Sequence, residues 1–210
     1  MTPASDSAYP TDVRAALLAA ARAELLENGA GGLSLRAIAA RAGVSRATPK
    51  WHFGHRAGLL TALAVEGFAE LGQVLGAAVE GAAGPAARFT ALGRAYMDFG
   101  LRNPELFDLM FRSAELDRDD PALGRAHRAS FSILVDTATE AAGGMAGGGA
   151  GTQDVPLLAW AASHGLVLLV HGGALQTLTG LTSSDEAGAL AHRLADTFTE
   201  LVRASGEATP

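Results

Sequence analysis

The 210-residue sequence predicts an all-α protein of about nine helices, with an N-terminal three-helix helix-turn-helix unit joined to a larger helical body. Three observations lead there. Ala and Leu run through nearly every segment while strand formers are sparse, which over long windows favours helix. Apolar residues recur at three- and four-residue spacing, and no alternating strand pattern or internal repeat is present. Glycines, asparagines and prolines punctuate the ends of those periodic runs. With 49% hydrophobic and 18% charged residues the chain is globular in composition.

The first helix is expected to open at Thr11, a capping residue followed by Asp12 at the positive end of the dipole. Val13, Leu17, Ala21 and Leu25 form one apolar stripe, which Asn28–Gly29 stops. Ser34 caps a short second helix running to Ala42, with Leu35, Ile38 and Ala42 inward. Gly43 follows where a left-handed cap is cheapest for glycine, Val44 is an apolar plug, and Ser45 caps a third helix anchored by Phe53. A turn of about three residues between two helices is the signature of a helix-turn-helix.

Beyond it, His55–Val79 reads as one long helix carrying Leu59, Leu60, Leu63, Phe68, Leu71 and Leu75 at helical spacing. Helices follow at Ala86–Arg102, Glu105–Glu115 and from Asp119–Asp120–Pro121 to Ala142, then at Val155–Leu178 and Asp185–Ala204. The expected organisation is a disordered arm (1–10), a helix-turn-helix domain (11–54) and a helical body (55–205). The body holds a connecting helix (55–79) and a flexible Gly-rich loop (143–153).

Several function classes are disfavoured. The chain has no cysteine, hence no disulfide framework, thiolate zinc site or cysteine nucleophile. No nucleophile–base motif or phosphate loop appears, and His127, His164 and His171 have no carboxylate at ligand spacing, so no enzyme, cofactor or metal is expected. The first ten residues lack a basic n-region and an apolar h-region, giving the expectation of no signal peptide and a cytoplasmic location. Residues 155–184 carry no Asp, Glu, Lys or Arg before Ser184, but His164, His171, several glycines and the lack of a basic flank argue against a membrane span.

Charge is unevenly distributed. Residues 11–60 hold seven Arg or Lys against three Asp or Glu, a local +4 in a chain of net −6. That split suggests an N-terminal unit facing a polyanion. Between Val44 and Phe53 lie Arg46, Thr48, Lys50, Trp51 and His52, a dense set of donors and flat rings suited to a helix entering the major groove of DNA. Ser34 and Ser45 stand at helix starts, where a hydroxyl and an amide can hold a phosphate oxygen. Each residue alone reads as an ordinary cap or a solvated charge. The tight turn, the local charge and the aromatic-basic cluster together do not.

Residues 11–68 resemble the DNA-binding domain of TetR-type transcriptional regulators. The match runs through Leu33-Ser-Leu-Arg-Ala-Ile-Ala-Ala-Arg-Ala-Gly-Val-Ser-Arg-Ala-Thr48, then His52-Phe53 and Gly58-Leu-Leu60. The resemblance implies that Ser34 and Arg36 approach the DNA backbone and that Arg46, Ala47 and Thr48 face bases. It further implies that Lys50, Trp51, His52 and Arg56 contact or flank phosphates. Three positions depart from the family pattern. Lys50 stands where an aromatic is usual, Arg56 where a lysine is, and Pro49 where a leucine is common. Lys50 can reach a base edge or a phosphate, and Pro49 is expected to deform the helix start slightly.

For the body, the resemblance implies dimerisation and effector binding. Trp160-Ala-Ala-Ser-His164-Gly165 is similar to the W…HG signature of one TetR subgroup, supported by Asn103-Pro-Glu-Leu-Phe107. Trp160, His164, Leu168, His171, Leu175 and Leu178 share a helical stripe, which serves as a cavity wall, a core or a dimer face. Phe107, Met110 and Phe111 are candidates for an apolar pocket wall beside Trp160 and His164, or plain core. The expected function is a ligand-responsive repressor. It would bind a palindromic operator in double-stranded DNA as a homodimer through its two C-terminal helices, and be released by a largely apolar small molecule. The alternative is an all-helical small-molecule binder or enzyme that does not use its helix-turn-helix.

Overall fold

The computed structural model describes residues 12–143 and 154–207, which form ten helices and no strand. The N-terminal arm and all of the Gly-rich stretch after residue 143 lie outside the described residues, as does Thr11. The helices are α1 (Val13–Gly32), α2 (Leu35–Arg41), α3 (Thr48–Phe53), α4 (Arg56–Glu80) and α5 (Pro85–Arg102), followed by α6 (Pro104–Arg112), α7 (Pro121–Gly143), α8 (Asp154–His171), α9 (Ala174–Thr179) and α10 (Ser184–Glu207).

The termini follow local chemistry. Asp12 caps α1 by accepting from Ala15 N at 3.0 Å, and Ser34 Oγ accepts from Ala37 N at 3.5 Å to open α2. The Asn28–Gly29 signal produces a kink at Gly29 (φ +66°) rather than a stop, and α1 continues to Gly32. The tenth helix arises at Gly172–Gly173, where the apolar periodicity predicts a single helix to Leu178. Gly173 takes φ +68°, and Gln176 Nε2 donates to Val170 O at 3.2 Å across the break, leaving α9 as a separate short helix.

Two compact units result. One gathers the residues up to Phe68 with Glu105–Ala126; the other gathers Ala69–Pro104 with the residues from His127 onward. The first buries Leu17, Leu25, Ile38, Leu59, Leu63 and Phe107 completely. A Cβ on Gly67 would stand 2.6 Å from Met110 Sδ, so the missing side chain is what lets α4 and α6 meet. In the second unit α5, α8 and α10 pack on one another, and Arg94 forms a two-pronged hydrogen bond to Asp196 at 3.0 and 2.7 Å. Arg56–Glu80 is long and apolar enough to cross a membrane, but Leu59, Leu60, Leu63, Phe68, Leu71 and Leu75 of that helix are all buried within the protein.

Candidate nucleic-acid interface and effector site

The turn between α2 and α3 is fixed by backbone bonds. Val44 N donates to Ala39 O at 3.0 Å and Gly43 N to Ala40 O at 3.2 Å, with Gly43 at φ +67°. Ser45 is not the cap that its position in the sequence suggests. The third helix starts three residues later, with Ala47 at its N-cap and Pro49 in its first turn. The reason is Pro49: it has no N–H for Ser45 O, so Thr48 N donates to that oxygen at 3.0 Å in a tighter turn. The Ser45 and Thr48 hydroxyls close the turn at 2.8 Å. Pro49 is also the buried residue of α3, while Phe53 is half-buried beneath the Arg14 guanidinium, 5.4 Å from its ring centre. The proline therefore does the core work expected of Phe53.

With Pro49 inward, the opposite face of α3 carries Ala47, Lys50 and Trp51, all exposed, Trp51 at 87%. Thr48 and His52 are half-buried on the flank. Arg46 is exposed in the turn, as are Ser34 and Arg36 at the start of α2. The cations divide sharply. Arg41 is held by Glu24 at 3.1 Å and by Glu27. Arg56, expected near a phosphate, is turned inward: it donates to Leu33 O at 3.2 Å and to Ala30 O, and pairs with Glu115. Exposed Arg36, Arg46 and Lys50 have no ion-pair partner among the described residues. The Arg56–Glu115 pair had no local signal, because its members are brought together only by the fold.

In the second unit Trp160 and His164 do meet, joined by a residue that the motifs did not single out. Trp160 Nε1 donates to Tyr96 Oη at 3.1 Å, and Tyr96 Oη lies 2.8 Å from His164 Nδ1. Burial lowers the His164 pKa and raises that of the Tyr96 phenol, which favours the neutral form of both. Trp160 also stands edge-on to Phe131 at 5.9 Å. The register of Phe89, Leu92 and Tyr96 along α5 was the available clue to Tyr96. Tyr96 and Trp160 border a small cavity of about 30 Å³ shared with Leu134 and Phe198. Phe107 and Met110 are fully buried in the first unit, where Phe111 packs 5.3 Å from Phe68. The five expected pocket residues thus divide between the two units. A wider, open groove of about 620 Å³ lies where Leu101, Val170, His171 and His192 converge.

The fold and the exposed third helix define a helix-turn-helix DNA-binding protein with a helical C-terminal domain. Residues 17–63 match the family of bacterial regulatory proteins named tetR, and residues 89–198 match the tetracyclin repressor-like C-terminal domain. The chain belongs to the TetR family of transcriptional regulators. It is similar to a protein of unknown function from Rhodococcus sp. RHA1, with 34% identity, 94% of this chain and 98% of that one covered, and a TM-score of 0.75. Two more distant structures share the fold. PfmR of Thermus thermophilus, a TetR family transcriptional regulator, has 15% identity over 88% of this chain and 97% of its own, with a TM-score of 0.63. FadR of Bacillus subtilis, a transcriptional regulator in complex with stearoyl-CoA, has 17% identity over 87% and 95%, also with a TM-score of 0.63. No curated protein matches the chain by sequence.

Proposed function

We propose that the protein is a homodimeric, ligand-responsive repressor acting in the cytoplasm on a palindromic operator. The observation that carries the DNA-binding part is the outward face of α3, where Ala47, Lys50 and Trp51 stand exposed beside Arg46, with exposed Ser34 and Arg36 at the start of α2. A dimer presents two such faces to half-sites one or more helical turns apart, each turn about 34–36 Å.

The dimer surface is formed by α8 and α10. Leu157, Leu158 and Leu169 are exposed along α8, and Leu194 on α10. Gly165 lies among those α8 leucines, and a Cβ there would meet nothing within 4 Å. A mid-helix glycine costs about 1 kcal/mol relative to alanine. Close approach of a partner helix explains its presence.

Tyr96 and Trp160, with His164 bonded behind them, supply polar anchors for an effector site whose walls include Phe89, Leu92, Leu134 and Phe198. The cavity of about 30 Å³ holds roughly one water-sized group, so an effector must open it to bind. An effector that opens this site stabilises a different conformation by its differential affinity, and this coupling releases DNA. The stearoyl-CoA complex of the B. subtilis relative is in keeping with an apolar effector.

The test is an electrophoretic shift with DNA from upstream of the protein's own gene. A sequence-selective shift that apolar candidate ligands abolish is expected. Absence of any selective shift at low salt, from protein verified to be a folded dimer, refutes the reading.

A further inference from the structure

Lys50 is the only lysine in the chain, and the fold gives it a position distinct from the other basic residues of the interface. With Ala47 and Trp51 it occupies the i, i+3 and i+4 places of the outward stripe of α3. When a helix lies in the major groove, its flanks run beside the two phosphate backbones and its outward stripe faces the base edges. One side of α3 is taken by half-buried Thr48 and His52, and exposed Lys50 stands on the other, at the edge of the stripe.

Three features sharpen what that place demands. Ala47, one turn before Lys50, has only a methyl group, so the helix can sit deep in the groove. The Thr48 hydroxyl already has a partner in the Ser45 hydroxyl at 2.8 Å. Lys50 O accepts from Gly54 N at 2.8 Å, which fixes the backbone from which the side chain extends, and the Trp51 ring stands edge-on to His52 at 5.6 Å. Of the three stripe residues Ala47 has no side-chain donor and Trp51 has a single N–H on a rigid ring, so Lys50 alone combines a flexible stem with a charged donor.

We propose that Lys50 reads a guanine in the major groove, donating from its ammonium to O6 and N7, and thereby sets one position of the operator half-site. The chemistry selects that base. An ammonium is donor-only, and guanine presents two adjacent acceptors, whereas adenine pairs its N7 acceptor with an N6 donor and cytosine presents a donor. This assignment rests on the DNA-binding reading above and deepens it.

The test is selection from random double-stranded sequence with the full-length protein, its Lys50→Ala variant and its Lys50→Gln variant, followed by affinity measurements over a salt series. The wild-type protein should enrich a G·C pair at one position of each half-site. Lys50→Ala should lose discrimination at that position alone, by roughly tenfold or more. Lys50→Gln should move the preference there toward adenine, which glutamine recognises. If Lys50→Ala keeps the wild-type consensus and weakens all sequences alike, with the salt slope reduced by about one, Lys50 holds a phosphate and the proposal is wrong. Unchanged consensus and affinity overturn it equally. Failure of the wild-type protein to enrich any sequence overturns the DNA-binding reading on which it rests, a result distinct from both.

Discussion

Pro49 shows how one side chain shapes the interface. It removes an N–H from the first turn of α3, shifts the helix start from Ser45 to Thr48, and fills the core position beneath the exposed face. Pro49→Ala should lower stability by about 1–2 kcal/mol, from lost apolar burial and a more flexible unfolded chain. Pro49→Leu should recover most of the burial; denaturant midpoints of the two variants check this. A second residue-scale prediction concerns His164. Burial depresses its pKa from the ordinary 6.5, so below pH 6.5 the unfolded chain binds a proton that the folded protein does not. Stability should therefore fall as pH drops below about 6.5, and His164→Asn should flatten that slope. Tyr96→Phe strands the Trp160 N–H and the His164 Nδ1, and should cost about 1–3 kcal/mol in thermal or chemical unfolding.

At the level of elements, the junction of α3 and α4 gives a physical reason for the Gly58-Leu-Leu60 motif. A Cβ on Gly58 would lie 2.1 Å from the Phe53 carbonyl oxygen, a backbone atom with little freedom to move. Gly58→Ala should therefore shift α3 against α4, cost about 1–3 kcal/mol, and weaken DNA binding in a shift assay. The helices themselves were legible in the sequence wherever their signals are local. Ser34 as a cap, Gly43 as a left-handed turn and the leucine spacing of α4 all act within a turn or two of chain. The departures have equally definite causes. Ser45 is displaced as a cap by a proline four residues on, and Gly172–Gly173 divides a helix whose apolar periodicity continues through the break. Arg56 pairs with Glu115 and Tyr96 joins Trp160 to His164 across long stretches of chain, through packing that no spacing rule encodes.

For the molecule as a whole, the division of charge agrees with the division of labour. The +4 balance of residues 11–60 sits on the helix-turn-helix, inside a chain of net −6. DNA affinity should consequently fall steeply with salt. The exposed leucines of α8, with Gly165 among them, belong to the proposed dimer face, which leads to a contrast that separates folding from assembly. Gly165→Ala meets open space within one chain and should stabilise the isolated helix by up to about 1 kcal/mol. In the dimer the added methyl should obstruct the partner helix, lowering the dimer fraction in sedimentation and, with it, affinity for a two-half-site operator. The most direct measurement is a footprint of the purified dimer on DNA upstream of its own gene. It should show a two-fold symmetric protected site whose half-sites lie one or more helical turns apart. A folded dimer that protects no site even at low salt would contradict the assignment of α3 as a DNA-reading helix.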